Sequence, residues 1–299
     1  VCCRGDYVKK LSKDRIFMIV VYGIAILITI AVIYPVWFVL IASFSDSSDV
    51  ANGNVWLWPR SWHLDAYREL FKQQSIWRSY LNTIFYCLVG TFFQLLVNIP
   101  AGYAMSRKEL FAKKFWIVFF TIPMFINGGL IPTYLTVRQF GFYNNWLVLI
   151  IPFSVSCYNI IVIRTFFREN IPEALWEAAQ MDGCSVIRYF VKIVLPLAKA
   201  ILAVIGLWVA VGIWNSWFDA MIYISNEDQQ PLQLILRRLL IVNKSLIAQG
   251  SGDLAAKLQD LSDKMKYAAI VVSTLPIMCL YPFLQKYFNQ GVMIGSIKE

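Results

Sequence analysis

The residues best placed for directed chemistry lie in one mixed-charge stretch, NIPEALWEAAQMDGCSVIRYFVKIVLP, Asn170 to Pro196. Asn170 with Glu173 forms a helix-start box, and Pro172 suits a first helical turn. The pattern predicts a short helix to about Met181, closed by Gly183 in a left-handed conformation. That helix presents Glu177 beside the small pair Ala178 and Ala179, with Glu173 and Asp182 as flanking carboxylates. A carboxylate offers one directional charge-assisted bond, and small side chains let another protein's surface approach the helix backbone. The chemistry these residues offer is recognition of another protein. Beyond Gly183, Ile193, Leu195 and Pro196 lead the chain back into apolar sequence. The whole stretch reads as a rigid elbow between two apolar segments.

A second group of candidates is polar or aromatic within apolar surroundings. Asn82, Gln94, Asn98, Asn127, Asn159, Asn215 and Asp219 interrupt long hydrophobic runs. Such groups tend to face a bundle interior, and for most single asparagines hydrogen bonding between helices accounts for them. GIWNSWFDA, Gly212 to Ala220, is the exception: Trp214, Asn215, Trp217, Phe218 and Asp219 combine flat aromatic faces with polar edges. Sugars present apolar C–H faces ringed by hydroxyls, so stacking plus hydrogen bonding is the chemistry that recognises them. These five residues and Asn127 form a candidate solute pathway; Trp217 and Asp219 equally suit the outer boundary of a membrane. The single histidine, His63, has no partners from which a metal site or an acid–base pair can be built. The six cysteines read as buried or incidental thiols, and the adjacent Cys2 and Cys3 suit neither a disulfide nor a zinc spacing.

The elements that position these residues are membrane helices. Only 15% of the 299 residues are charged while 59% are hydrophobic, against about 25% charged in a soluble domain. A bilayer core asks for roughly 20 apolar residues per helix. Six stretches meet this: Ile16 to Ala42, Ile76 to Met105, Phe115 to Leu135, Trp146 to Phe167, Leu195 to Ile224 and Tyr267 to Tyr287. The first is too long for a signal-peptide core and is expected to remain as a span. With a cytoplasmic N-terminus, the inner segments hold 16 of the 27 Lys and Arg, including Arg107, Lys108, Lys113 and Lys114 in one short loop. That bias places both termini in the cytoplasm. The net charge of +9 therefore follows the membrane boundary and does not mark a nucleic-acid surface. The expected layout is a cytoplasmic segment 1–15, a six-helix domain 16–288 and a cytoplasmic tail 289–299, with outer loops 43–75 and 225–266 and an inner loop 169–195. In the second outer loop, Asp253 can cap a helix whose Leu254, Leu258, Leu261 and Met265 share a face; it would lie either on the membrane surface or on a partner subunit.

The spacing E-A-A, three residues, G, nine residues, I-x-L-P is met by Glu177-Ala178-Ala179, Gly183, Ile193 and Leu195-Pro196. In this the chain resembles the permeases of ATP-binding cassette (ABC) importers. GGLIPTYL (Gly128 to Leu135), RTFFRENIPEALWEAA and GVMIGSIKE (Gly291 to Glu299) narrow the resemblance. They look like the second membrane subunit of maltose-type carbohydrate importers, in the oligosaccharide and polysaccharide branch. The resemblance implies an all-α integral membrane protein of the type I importer permease fold in a bacterial cytoplasmic membrane. Implied partners are a homologous sister permease, a dimer of ATPase subunits, an extracellular lipid-anchored solute-binding protein and a carbohydrate. ATP and Mg would be bound by the ATPase and no cofactor by this chain, which has no Gly-Lys-Ser or Gly-Lys-Thr phosphate loop. Glu177 would pair with a basic residue in the ATPase groove, with Ala178, Ala179 and Gly183 permitting the close fit. The tail from Gly291 would reach the ATPase dimer. Lys244, Gln249, Ser251 and Asp253 would contact the binding protein. Two alternatives stand beside this: an ABC permease for a non-sugar solute, and an ion-driven secondary transporter, which calls for buried ionisable groups at mid-membrane.

Overall fold

The computed structural model describes residues 3–238 and 265–279, with side chains described from residue 15. These fall into two compact units, residues 3–72 with 265–272 and residues 73–238 with 273–279.

In the first unit, α1 (Cys3–Ser43) is apolar on every side from Ile16 to Trp37, and these side chains are exposed. A helix hydrophobic all round belongs in a low-dielectric surrounding. The chain then folds back on the end of α1 through α2 (Ser47–Ala51) and α3 (Asp65–Lys72). Trp37 donates its indole N–H to the Leu57 carbonyl at 3.2 Å, and Ser43 bonds the Tyr67 hydroxyl at 2.7 Å. His63 lies at the surface, its ring 3.9 Å from Asp65.

The second unit is built on α4 (Gln74–Ser106), followed by α5 (Lys113–Phe125), α6 (Leu130–Gln139), α7 (Cys157–Asn170) and α8 (Glu173–Met181). Two short pieces, α9 (Val186–Tyr189) and α10 (Leu195–Leu197), flank a π-helical turn, Phe190–Val194. α11 (Lys199–Trp214) and α12 (Phe218–Tyr223) follow; of the last described helix, α13 (Met265–Cys279), residues 273–279 belong to this unit and 265–272 to the first.

Only two of the six expected stretches are uninterrupted helices of spanning length among the described residues: the 29 residues Arg15–Ser43 and the 33 of α4. The third is broken at 126–129, where α5 and α6 meet at 116°. Gly129, with φ of +85°, supplies a conformation that L-residues resist, and the Asn127 side chain accepts its N–H at 3.0 Å. The fourth begins as a 3-10 turn, Trp146–Leu149, and becomes helical only at Cys157. The fifth is entered by a 79° corner at Ala198 and ends at Trp214 rather than Ile224. The sixth is helical to Cys279, and its expected remainder to Tyr287 lies outside the described residues.

Irregular backbone at membrane depth survives only where its polar groups are paired. Asn98, fully buried on α4, does this for the fourth stretch: it donates to the Ser154 carbonyl at 2.8 Å and accepts from the Ser156 N–H at 2.9 Å. At the other end of α4, Thr83 accepts the Leu232 N–H at 2.8 Å, and Asn82 and Tyr86 donate to the carbonyls of Asp228 and Gln229.

Close approach of α4 to its neighbours depends on two glycines. A Cβ at Gly90 would lie 2.6 Å from Ile213 Cδ1, the movable end of a side chain. At Gly102 it would meet Ile163 Cγ2 at 2.5 Å and the rigid Cβ at 2.7 Å, with the Ile160 carbonyl at 3.1 Å. Gly102→Ala should therefore destabilise the protein by about 1–3 kcal/mol through overpacking, and Gly90→Ala by less. Thermal unfolding of the purified protein in detergent checks the order, and Ile163→Ala should partly rescue Gly102→Ala.

Candidate functional site

The elbow is organised by a helix with two unlike faces. Nine residues do not hold a helix by themselves, so α8 depends on tertiary packing. Trp176 and Ala179 are buried. The Trp176 ring packs against the Arg107 guanidinium, 5.0 Å from its centroid, and against the Tyr189 ring, also at 5.0 Å. Glu177 and Ala178 face outward. The elbow also exposes apolar side chains: Leu175, Met181 at 90% exposure, Val186 and Ile187. Exposed apolar area together with a free acid offers another protein both burial and a directional charge-assisted bond.

The C-terminal end closes as the Gly183 spacing predicts. Gly183 has φ of +70°, its N–H reaches the Gln180 carbonyl at 3.0 Å, and the Cys184 N–H reaches Ala179 at 2.9 Å. These are the two bonds of a Schellman closure. Asp182 is the exposed cap residue, and Ile193, Leu195 and Pro196 belong to the return through the π turn and α10.

Two expectations are corrected. The Asn170–Glu173 box does not form: Asn170 ends α7 and donates to the Phe166 carbonyl at 2.9 Å, while Glu173 pairs with Lys108. Extended Pro172 takes the cap position instead. Ala179 does not share the outward face of Glu177, because two further residues turn it by about 200° onto the inner side. Glu173 holds the Lys108 ammonium above the usual lysine range through that hydrogen bond. Glu109 is held below the usual carboxylate range, mainly by its own backbone N–H and further by Arg107.

The second candidate is a cleft of about 440 Å³ beside the break after α11. Gln94, Ser156, Asn159, Ser216 and Asp219 supply its polar lining, and Phe153, Tyr158 and Trp208 its aromatic faces. The Tyr158 and Trp208 rings lie 5.9 Å apart, inclined by 33°. Of the six residues expected on the pathway, only Asp219 lines this cleft. Trp214 is buried and donates to the Ser273 carbonyl at 2.8 Å. Trp217 is covered by Arg237, 3.4 Å above its ring, and meets Phe218 edge-on. Asn215 donates back to Val211, and Asn127 is used in the α5–α6 turn. Trp208 went unpredicted because it is a lone aromatic in an apolar run, and Tyr158 because nothing local sets it apart beside Asn159; only the fold brings the two rings together. Lys244, Gln249, Ser251, Asp253, the helix expected around Leu254 and the tail from Gly291 lie outside the described residues.

Comparison with known proteins places this geometry. A family profile described as binding-protein-dependent transport system inner membrane component matches residues 98–294. The polygalacturonan/rhamnogalacturonan transport system permease protein YtcP of Bacillus subtilis is 33% identical over 287 residues, covering 96% of this chain and 99% of its own. Protein LplC of the same organism is 35% identical over 266 residues, covering 89% of each. A chain from the crystal structure of a bacterial ABC transporter involved in the import of the acidic polysaccharide alginate superposes with a TM-score of 0.82 at 31% identity. That match covers 92% of this chain and 98% of the other. The all-helical type I ABC permease fold follows from these matches.

A Cβ at Gly183 would meet nothing within 4 Å, so substitution there tests backbone strain alone. Gly183→Ala should cost about 1–2 kcal/mol, read as a lowered unfolding midpoint of the purified protein, and β-branched Gly183→Val should cost more.

Proposed function

Because this chain belongs to the family of binding-protein-dependent transport system inner membrane components, we propose that it is a carbohydrate-conducting subunit of an ABC importer, docking a separate ATPase through Glu177. The observation that carries this reading is the division of α8 into an inner face locked on Trp176 and an outer face offering Glu177. Six membrane crossings with both ends in the cytoplasm fit the distribution of basic residues. The broken third, fourth and fifth stretches are compatible with crossings whose irregular backbone is paired by Asn98 and Asn127. The partners are a sister permease, two ATPase subunits that bind ATP and Mg, and an extracellular lipid-anchored binding protein that delivers the sugar.

Carbohydrate as cargo is supported by the names of the relatives and by the cleft's chemistry. Trp208 and Tyr158 offer ring faces to sugar C–H surfaces, and Gln94, Asn159 and Ser216 offer hydrogen bonds to hydroxyls. In this mechanism ATP binding closes the two ATPase subunits and drags the elbow at Glu177. α7 and α11 swing with it, the outer side opens to the docked binding protein, and hydrolysis resets the cycle. This chain moves sugar and catalyses no bond change.

Two substitutions test the reading. Glu177→Lys removes a charge-assisted bond of about 1.5–3 kcal/mol, so ATPase co-purification should weaken by roughly 10–100-fold and uptake should be lost. Uptake and assembly both surviving that change would sink the docking assignment. In the cleft, Trp208→Ala should slow uptake at saturating loaded binding protein by roughly 2–10-fold while leaving ATPase docking intact. Asn215→Ala, outside the cleft lining, should leave radiolabelled sugar uptake unchanged.

A further inference from the structure

We propose that Arg107 is a positioning residue that makes the α4–α5 connector move with α8, giving the ATPase a third point of leverage on the membrane helices. Covalently, α8 joins α7 through Ile171 and Pro172, and α11 through the stretch from Asp182 to Ala198. The connector 107–112 between α4 and α5 is remote in sequence, yet its side chains hold α8 directly.

Arg107 is the centre of that hold. Its guanidinium lies 5.0 Å from the Trp176 centroid and 5.9 Å from that of Tyr103 on α4. Glu109 accepts from it at 3.1 Å, which orients the planar group. Tyr103 in turn meets Phe190 at 4.8 Å and Phe167 at 5.7 Å. The connector is stiffened from the α5 side, where the Lys113 ammonium donates to the carbonyls of Ser106 and Arg107 at 3.1 and 2.7 Å.

Burial decides which contact dominates. Lys108 also pairs with Glu173, but its side chain is 76% exposed, and exposed pairs contribute little. The Arg107 side chain is only 17% exposed and Trp176 only 7%, so cation and ring meet largely desolvated, where such contacts are strongest. A pull on Glu177, one residue from Trp176, therefore reaches the joint of α4 and α5 through Arg107.

This rests on α8 being the ATPase contact, and one reconstitution separates the two ideas. The complete importer, with sister permease, ATPase and loaded binding protein, is placed in proteoliposomes, and sugar imported per ATP hydrolysed is measured. Arg107→Ala should leave the ATPase bound, unlike Glu177→Lys, but lower the ratio by about fivefold or more. Arg107→Lys keeps the charge without the planar group and should lose nearly as much. An unchanged ratio in Arg107→Ala overturns the proposal.

If Arg107→Ala does not assemble, a second measurement decides. With the native cysteines replaced by serine, Lys108→Cys and Glu173→Cys are combined and bridged by a short bifunctional thiol reagent, with each substitution alone as the single-cysteine control. Bridged importer that keeps at least half its uptake supports connector and α8 moving as one body. Loss of uptake on bridging, with the single-cysteine controls unaffected, overturns it.

Discussion

The packing of Trp176 is the interaction on which the elbow depends. A nine-residue helix in water is unstable alone, and α8 is joined to its neighbours by short segments that leave its rotation about its own axis undetermined. Packing the indole against Arg107 and Tyr189 fixes that rotation. Adjacent residues on a helix are about 100° apart, so once Trp176 points inward, Glu177 and Ala178 have to point out. The orientation of the acid is thus set by its neighbour, and Gly183 then turns the chain away without covering it.

A second constraint comes from the broken helices. Each interruption of a helix within an apolar surrounding frees N–H and C=O groups that must find partners. Polar residues of α4, buried or half-buried, answer that demand: Asn98 at the 150–156 segment, and Thr83, Asn82 and Tyr86 along 228–232. Their presence in apolar sequence is explained by backbone, with no solute required. The cleft arises where two interruptions come together, the segment ending at Ser156 and the one around Ser216, so its polar lining is a product of the same breaks.

The legible and illegible parts of this sequence divide along physical lines. The extent of α8 and its closure by Gly183 were readable because they depend on local backbone preference, which acts over a few residues. The preference of Asn170 and Glu173 for a capping box was equally local but lost, because the α7 helix continues through Asn170 and Lys108 engages Glu173. The apolar stretches marked membrane helices without marking their breaks. Pro152 and Pro196 lie near two of them, but a proline is tolerated or disruptive according to what neighbouring helices supply, and that is tertiary information. Trp214 and Trp217 were conspicuous in GIWNSWFDA, and the fold spends both on packing. Trp208, one helical turn and more away in a featureless apolar run, is the ring that reaches the cleft.

The two sites share their supports, which removes the need for any chain of side chains between them. α7 begins at the cleft with Ser156, Tyr158 and Asn159 and ends two residues before α8. α11 begins at the corner that closes the elbow and carries Trp208, Val209, Gly212 and Ile213 into the cleft lining. At 1.5 Å per residue these rods are about 21 and 24 Å long. A packed helix transmits displacement along its axis with little loss, because compressing it strains every hydrogen bond in the ladder. Displacement of α8 relative to the bundle therefore changes the separation of residues on opposite walls of the cleft directly. The close seating of α4 on both rods, through Gly90 against Ile213 and Gly102 against Ile163, limits that change to rotation and sliding of whole helices.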